Sequence, residues 1–354
     1  MERLSEVWGS GWLTNKGKQH EELRAALSDY LGYPNLSLFS NATQGLMTAC
    51  KALGVSGEVI TTPFTFPATP HVISWINATP VFADIDPIRL TIDPQQIEAL
   101  ITPKTTAILG VHVYGVPCDV NVIDELAKRY GLKVIYDAAH AFGTTINGLP
   151  VGKFGDATVF SFHATKLFQT AEGGALVSPH TGLLEQIELL KNFGIKNEDE
   201  VVLPGINSKM NELQAALGCC VLQHLDKEIS ARTKIDNIYR SRFDSIDGIS
   251  IQTMPEGVIN SLQYFVVRID PETSLVNRDT LHSELKQFNI FTRKYFFPLC
   301  TDYKHYQQAS RSENGLLNAT KAASEVLALP FYGSISEDDA HRICDSVIYT
   351  LRRM

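Results

Sequence analysis

The stretch S-F-H-A-T-K-L-F-Q-T-A-E-G-G-A, Ser161 to Ala175, decides how this chain is read. It begins at the end of the apolar run A-T-V-F-S-F, sets Lys166 in a turn of small residues, and closes on a Glu-Gly-Gly hairpin signal. Twenty-nine positions upstream, Asp137 closes a second apolar run, K-V-I-Y-D-A-A-H. An amine and a carboxylate are therefore expected at the ends of two buried strands. Each has a plain alternative, Lys166 as a surface lysine and Asp137 as a helix cap. Their joint placement favours a chemical role.

Pyridoxal 5′-phosphate chemistry requires that pair, because an amine can form a Schiff base with the cofactor aldehyde and a carboxylate can keep the ring nitrogen protonated. The cofactor phosphate needs backbone N–H groups at a helix N-terminus, and S-N-A-T-Q-G, Ser40 to Gly45, offers one with Thr43 and Gln44 in its first turn. Simple helix capping explains the same composition. Ser161 can add a hydroxyl. Phe66, after the run E-V-I-T-T, is placed to stack on the ring or to fill the core, and His140 to touch the ring or to serve as a structural histidine.

Outward from these residues the pattern alternates. Between Leu36 and Ser178 the runs L-S-L-F-S, E-V-I-T-T, P-V-F-A-D, A-I-L-G-V-H-V, K-V-I-Y-D-A, A-T-V-F-S-F and G-A-L-V-S are separated by helical spacing at Gln44–Leu53, Gln95–Ile101 and Val122–Tyr130. This predicts an α/β domain on a mostly parallel sheet, with ligands at the carboxyl ends of the strands. Met210 to Phe243 reads as one long helical region, with Gly218 its only glycine, forming a spine between two domains. Beyond it, Q-Y-F-V-V-R-I-D, a helix near Arg278–Phe288 and a last helix at Glu337–Leu351 predict a smaller α+β domain. The expected division is 1–243 and 244–354.

A chain of 354 residues, 44% hydrophobic, can bury a large core, and its formal net charge of −8 argues against a sequence-independent grip on nucleic acid. Six cysteines without a C-x-x-C pair indicate reduced thiols rather than a metal site or disulfides. There is no basic-then-apolar leader and no run of about eighteen apolar residues, so the expectation is a soluble cytoplasmic protein without a membrane partner. G-x-G-x-x-G, G-x-x-x-x-G-K-[ST] and G-x-S-x-G are all missing, which removes the usual support for nicotinamide, nucleoside triphosphate and serine hydrolase chemistry. A cofactor-binding regulator without turnover stays open on these residues.

G-W-L-T-N-K-G, S-N-A-T-Q-G-L, T-F-P-A-T, P-V-F-A-D-I-D, V-H-V-Y-G, D-A-A-H, S-F-H-A-T-K, E-G-G-A, G-I-N-S-K-M-N-E-L-Q-A-A and T-R-K-Y-F-F-P-L run in this order along nearly the whole chain. They closely resemble the DegT/DnrJ family of sugar aminotransferases, of the aspartate aminotransferase fold (fold type I). The resemblance implies a large domain on a mostly parallel, mixed seven-stranded sheet and a smaller α+β C-terminal domain. It implies that Lys166 forms the Schiff base and Asp137 meets the pyridine nitrogen. Thr43, Gln44 and Ser161 would hold the phosphate, and Phe66 would cover the ring. Asn207 would reach the phosphate from a neighbouring subunit, making a homodimer with shared active sites. Tyr295 would line the sugar pocket. By their charge, Arg293 and Lys294 are candidates for the sugar diphosphate, beside the alternative of solvated surface charges.

Three positions depart from the commonest family pattern: His140 for Gln, Lys209 for Arg and Ala171 for Gly. A lysine cannot reproduce the two-pronged fork of arginine, so substrate contacts near Lys209 do not carry over. S-F-H-A-T-K-L-F with D-A-A-H is most like the VioA-type branch. That likeness implies ping-pong transfer of the amino group of L-glutamate to carbon 4 of a dTDP-4-keto-6-deoxyhexose. Amination at carbon 3, or of a UDP- or GDP-linked keto sugar, is the alternative. A dehydratase relative has histidine at the Schiff-base position; here it is Lys166.

Overall fold

The computed structural model describes residues 1–353. All the predicted runs are strands of one sheet: β1 (Leu36–Phe39), β2 (Glu58–Thr61), β3 (Thr79–Phe82), β4 (Thr105–Val111), β5 (Lys133–Asp137), β6 (Ala157–Ser161) and β7 (Gly174–Val177), in the order β1-β7-β6-β5-β4-β2-β3. The pairs from β3 through β6 are parallel, and only β7 is reversed, pairing antiparallel with both β6 and β1. Two-sided burial explains why these runs are continuously apolar. Leu109, Ile135 and Val159 pack on one face against α3 (Ala42–Ala52), α4 (Ala68–Trp75) and α7 (Thr181–Leu190). Ile108, Val134 and Tyr136 pack on the other against α5 (Pro94–Leu100) and α6 (Val120–Tyr130).

The helical spine is not continuous. It divides at Gln223–His224 into α8 (Glu212–Leu222) and α9 (Leu225–Phe243). Ala215 and Cys219 of α8 pack with Leu23 of α2 (Lys18–Leu31), and α9 begins on the same core through Leu225 and Ile229 before Ile235, Tyr239 and Phe243 enter the core of the C-terminal part. Gly218 lies inside α8 rather than at the break. A Cβ there would stand 2.8 Å from Leu23 and Thr170, so glycine is what lets α2 lie close.

The C-terminal part carries an antiparallel sheet of β8 (Ile249–Ile251), β9 (Phe265–Ile269) and β10 (Val326–Leu329), with α10 (Arg278–Glu284), α11 (Leu317–Glu325) and α12 (Glu337–Arg352). It is fastened to the large sheet. Asp84, just past β3, is fully buried and accepts from the N–H groups of Ile85, Asn318 and Ala319 and from Asn314 Nδ2, at 2.8 to 3.1 Å, so it caps α11 from across the molecule. Phe64, Phe82 and Tyr114 share one core cluster with Val266, Phe296 and Ala319. Among the described residues no helix is long and apolar enough to cross a membrane.

Candidate active site

A cavity of about 220 Å³ opens beyond the carboxyl ends of β1, β5 and β6. It is lined by Thr43, Phe66, Asp137, His140, Ser161, Lys166 and Tyr295, all foreseen from sequence, and by Thr65, His163, Glu172, Tyr264 and Phe296, which were not.

Lys166 sits on the return from β6 to β7. Phe162 and Phe168 are fully buried edge-to-face at 4.7 Å, and Phe168 stacks on Phe142 at 5.0 Å, so aromatic packing anchors both sides of the turn. Ala164 N donates to Ala171 O (2.8 Å) and Lys166 N to His163 O (2.8 Å). Closing this return puts Ala171 at φ 61°, the left-handed region where glycine is at ease, so the glycine expected here from the family resemblance would fit without strain. The glycines after it allow close approach. A Cβ on Gly174 would stand 2.8 Å from Ala42 N, so its absence seats the N-terminus of α3 against the sheet beside Ser161, which pairs with Gly174.

Asp137 is 6% exposed. Its Oδ1 accepts from Ala139 N (3.0 Å) and its Oδ2 from the Thr69 hydroxyl (2.9 Å), and no ion pair reaches it among the described residues. Burial pushes its pKa up; the Ala139 N–H, the Thr69 hydroxyl and the charge of Lys166 oppose this. Lys166 Nζ has no hydrogen-bond partner among the described residues and lies 5.7 Å from the ring centre of Tyr264. Burial lowers its pKa to about 8, with Asp137 pulling the other way. His140 is buried beside two rings that lie parallel to its own, Tyr114 at 6.4 Å and Phe296 at 5.6 Å, and its Nδ1 accepts from Tyr114 N (3.2 Å). Burial, followed by the Lys166 charge, holds its pKa well below the usual range. Because Nδ1 accepts, the neutral ring carries its proton on Nε2.

Other expected residues lie outside the lining. Gln44 turns its side chain to Ser40 and Asn41 and reaches Asn207 O at 3.4 Å. Asn207 is exposed, with its Oδ1 accepting from Lys209 Nζ (2.7 Å), and Lys209 also covers the Phe193 ring at 4.6 Å. Arg293 is exposed and bonds through its backbone to Ala328 of β10. Of the residues not foreseen, Thr69 stood in the quoted T-F-P-A-T. Tyr264 stood in a stretch legible only as a strand, and nothing local shows that the C-terminal part carries it to Lys166.

The lining fits pyridoxal 5′-phosphate. It offers a largely buried amine and a buried carboxylate, neither with an ion partner among the described residues, and the first turn of a helix at Ala42 and Thr43. Fold and site together define a pyridoxal-phosphate-dependent aminotransferase. Residues 1–348 match the DegT/DnrJ/EryC1/StrS aminotransferase family, and the chain belongs to it. That family is pyridoxal phosphate-dependent.

The dTDP-4-amino-4,6-dideoxy-D-glucose transaminase of Shigella dysenteriae is 43% identical over 352 residues, covering 99% of this chain and 94% of that protein. The transaminase of the same description from Escherichia coli is 43% identical over 342 residues, covering 96% and 91%. The solved structure of DesI in the presence of its TDP-sugar product superposes with a TM-score of 0.94 at 36% identity, covering 99% of this chain and 90% of that one.

Proposed function

We propose that this enzyme moves the amino group of L-glutamate to carbon 4 of a dTDP-4-keto-6-deoxyhexose, giving dTDP-4-amino-4,6-dideoxyglucose, in two half-reactions. The observation that carries the reading is the meeting of Lys166 and Asp137, both without an ion partner, in one cavity on neighbouring strand ends. Likeness to two dTDP-4-amino-4,6-dideoxy-D-glucose transaminases over nearly the whole chain supports the choice of sugar and carbon.

Bound pyridoxal 5′-phosphate supplies the aldehyde that carries the amino group and a ring that accepts electrons from the substrate carbon. Lys166 holds the cofactor covalently and, once freed by the amino donor, its amine carries the proton between carbon atoms. A pKa near 8 leaves a useful neutral fraction for both tasks. Asp137 holds the proton on the ring nitrogen. Thr43 and Ser161 receive the phosphate at the start of α3, with Gln44 closing the first turn behind them. Phe66, 56% exposed at the cavity wall, covers the ring, and His140, which also lines the cavity, packs on it or meets its hydroxyl. Tyr295 lines the sugar side; Arg293 and Lys209 stand outside the cavity lining and are proposed as outer substrate contacts on their positive charge alone.

We infer a homodimer in which Asn207 serves the partner's site. Trp8, Trp12, Val201, Ile206 and Leu213 are exposed apolar side chains along the N-terminal arm, the segment before Asn207 and α8, and a second copy would bury them. The enzyme would work in the cytoplasm, supplying an amino sugar to a surface polysaccharide such as O-antigen.

The test is direct. The enzyme is loaded with glutamate until its cofactor absorption is converted, freed of excess, and given dTDP-4-keto-6-deoxyglucose. Return of the original absorption, with nitrogen at carbon 4 of the product by NMR, is the expected outcome. Conversion by glutamate without return rejects this acceptor and directs the assay to 3-keto and UDP- or GDP-linked sugars. No conversion by glutamate would favour a regulator.

A further inference from the structure

Lys166 lies in neither helix nor strand, and its neighbours Ala164 and Thr165 are exposed. Its amine must nevertheless stand at one place, since misplacing a reacting group by about 1 Å can cost roughly 100-fold in rate. The buried aromatics fix the chain at Phe162 and Phe168, leaving the residues between them to be held by something else.

Beyond the return's own bonds from Ala164 N to Ala171 O and from Lys166 N to His163 O, support comes from the C-terminal part of the chain. Gln263, 4% exposed just before β9, accepts from Leu167 N through Oε1 (2.6 Å) and donates through Nε2 to Thr165 O (2.9 Å). These are the two peptide groups that enclose Lys166. One side chain therefore satisfies both, using the acceptor and donor ends of a single amide.

Gln263 is itself fixed. Arg232 of α9, 6% exposed, donates to Leu262 O (3.0 Å) and Gln263 O (3.4 Å), and Glu228 holds Arg232 Nε (2.7 Å) together with Gly333 N (2.9 Å). Leu262 is at φ 53°, a turn that presents Gln263 to the Lys166 return and Tyr264 to the amine.

We propose that Gln263 is a positioning residue for Lys166: by clamping both flanking peptide groups it sets where the amine stands, and it ties that position to the C-terminal part of the chain. The proposal rests on the reading of Lys166 as the cofactor-bearing lysine. Gln263→Ala removes both bonds. Gln263→Glu keeps an acceptor for Leu167 N but, when ionised, cannot donate to Thr165 O.

The experiment combines amide hydrogen exchange on the cofactor-free full-length chain with a pH titration of the absorption of the loaded enzyme. For Gln263→Ala, protection at Leu167 falls about tenfold while strand amides such as Leu109 keep theirs, the absorption midpoint shifts from wild type, and conversion by glutamate slows about tenfold. For Gln263→Glu, Leu167 stays protected and the rate lies between wild type and Ala. Wild-type exchange and an unmoved midpoint in Gln263→Ala overturn the proposal, as does an equal loss of protection at Leu167 and Leu109. The underlying reading fails differently: borohydride reduction of loaded wild-type enzyme would then attach no cofactor to Lys166, and the proposal falls with it.

Discussion

Lys191 and Lys166 are both withdrawn from solvent, in surroundings of opposite kind. Lys191 donates to Glu188 Oε1 (2.6 Å), Ser37 Oγ (2.8 Å) and Leu38 O (3.2 Å), so each of its three N–H bonds is used. Lys166 Nζ has no such partner among the described residues. The carboxylates repeat the contrast. Asp84 and Asp137 both stand at the carboxyl ends of strands of the parallel sheet, yet Asp84 gathers four donors and joins two parts of the chain, while Asp137 has two and faces a cavity. A buried charge whose bonds are filled holds a fold together. One left short of partners, facing a cavity, is free to act on a ligand.

The largest effect expected from this contrast is on turnover. Lys166→Ala should lower the glutamate half-reaction by at least about 1000-fold while the urea unfolding midpoint stays near wild type. Lys191→Met should do the reverse, leaving activity per folded molecule intact and costing about 2–4 kcal/mol in urea denaturation. If Lys166→Ala unfolds the protein, or Lys191→Met abolishes transfer in a stable one, the contrast is broken.

The acids make the next pair. Asp137→Asn should slow the half-reaction by about 100- to 1000-fold by removing charge at the ring nitrogen, with little change in stability. Asp84→Ala strands buried donors and should cost about 2–4 kcal/mol with the rate per folded enzyme unchanged. Stability curves beside single-turnover rates for both variants decide between these roles.

A pH profile sharpens the account of the amine. Lys166 is lowered to about 8, so its neutral, nucleophilic form grows as pH rises through 8 rather than through the ordinary lysine range. Attachment of pyridoxal 5′-phosphate to cofactor-free enzyme should accelerate about tenfold per pH unit below that point and level off above it. Asp137 favours the charged amine, so Asp137→Asn should move the midpoint lower. A midpoint near 10 in wild type would mean that the amine is hydrated.

The smallest effect concerns Ala171. Ala171→Gly should raise stability by about 0.5 kcal/mol, the relief of the left-handed φ being partly offset by the freedom glycine gives the unfolded chain. A loss on thermal melting would show that the return around Lys166 relies on the methyl group.

The site was legible to the degree that its residues stand at strand ends. Asp137, Ser161 and Lys166 follow apolar runs, and a parallel sheet brings the ends of such runs together. Gln263 and Tyr264 gave no such signal, since their stretch reads only as a strand. The helical break at Gln223–His224 was equally hidden, because the spacing across it stays helical, and so was the change of core, which falls inside α9 between Ile229 and Ile235.

Sequence by itself determined the strands of the large sheet, the helix that follows β1, and the amine and carboxylate between them, because those depend on the periodicity of neighbouring residues. Tertiary structure alone decided which buried charges are filled and which are left open. Asp84 and Asp137 look alike along the chain; they differ because Asn314, Asn318 and Ala319 arrive from some 230 residues away at one and not at the other. A charge's role inside a protein is set by the donors and acceptors that packing brings to it, and those come from any part of the sequence.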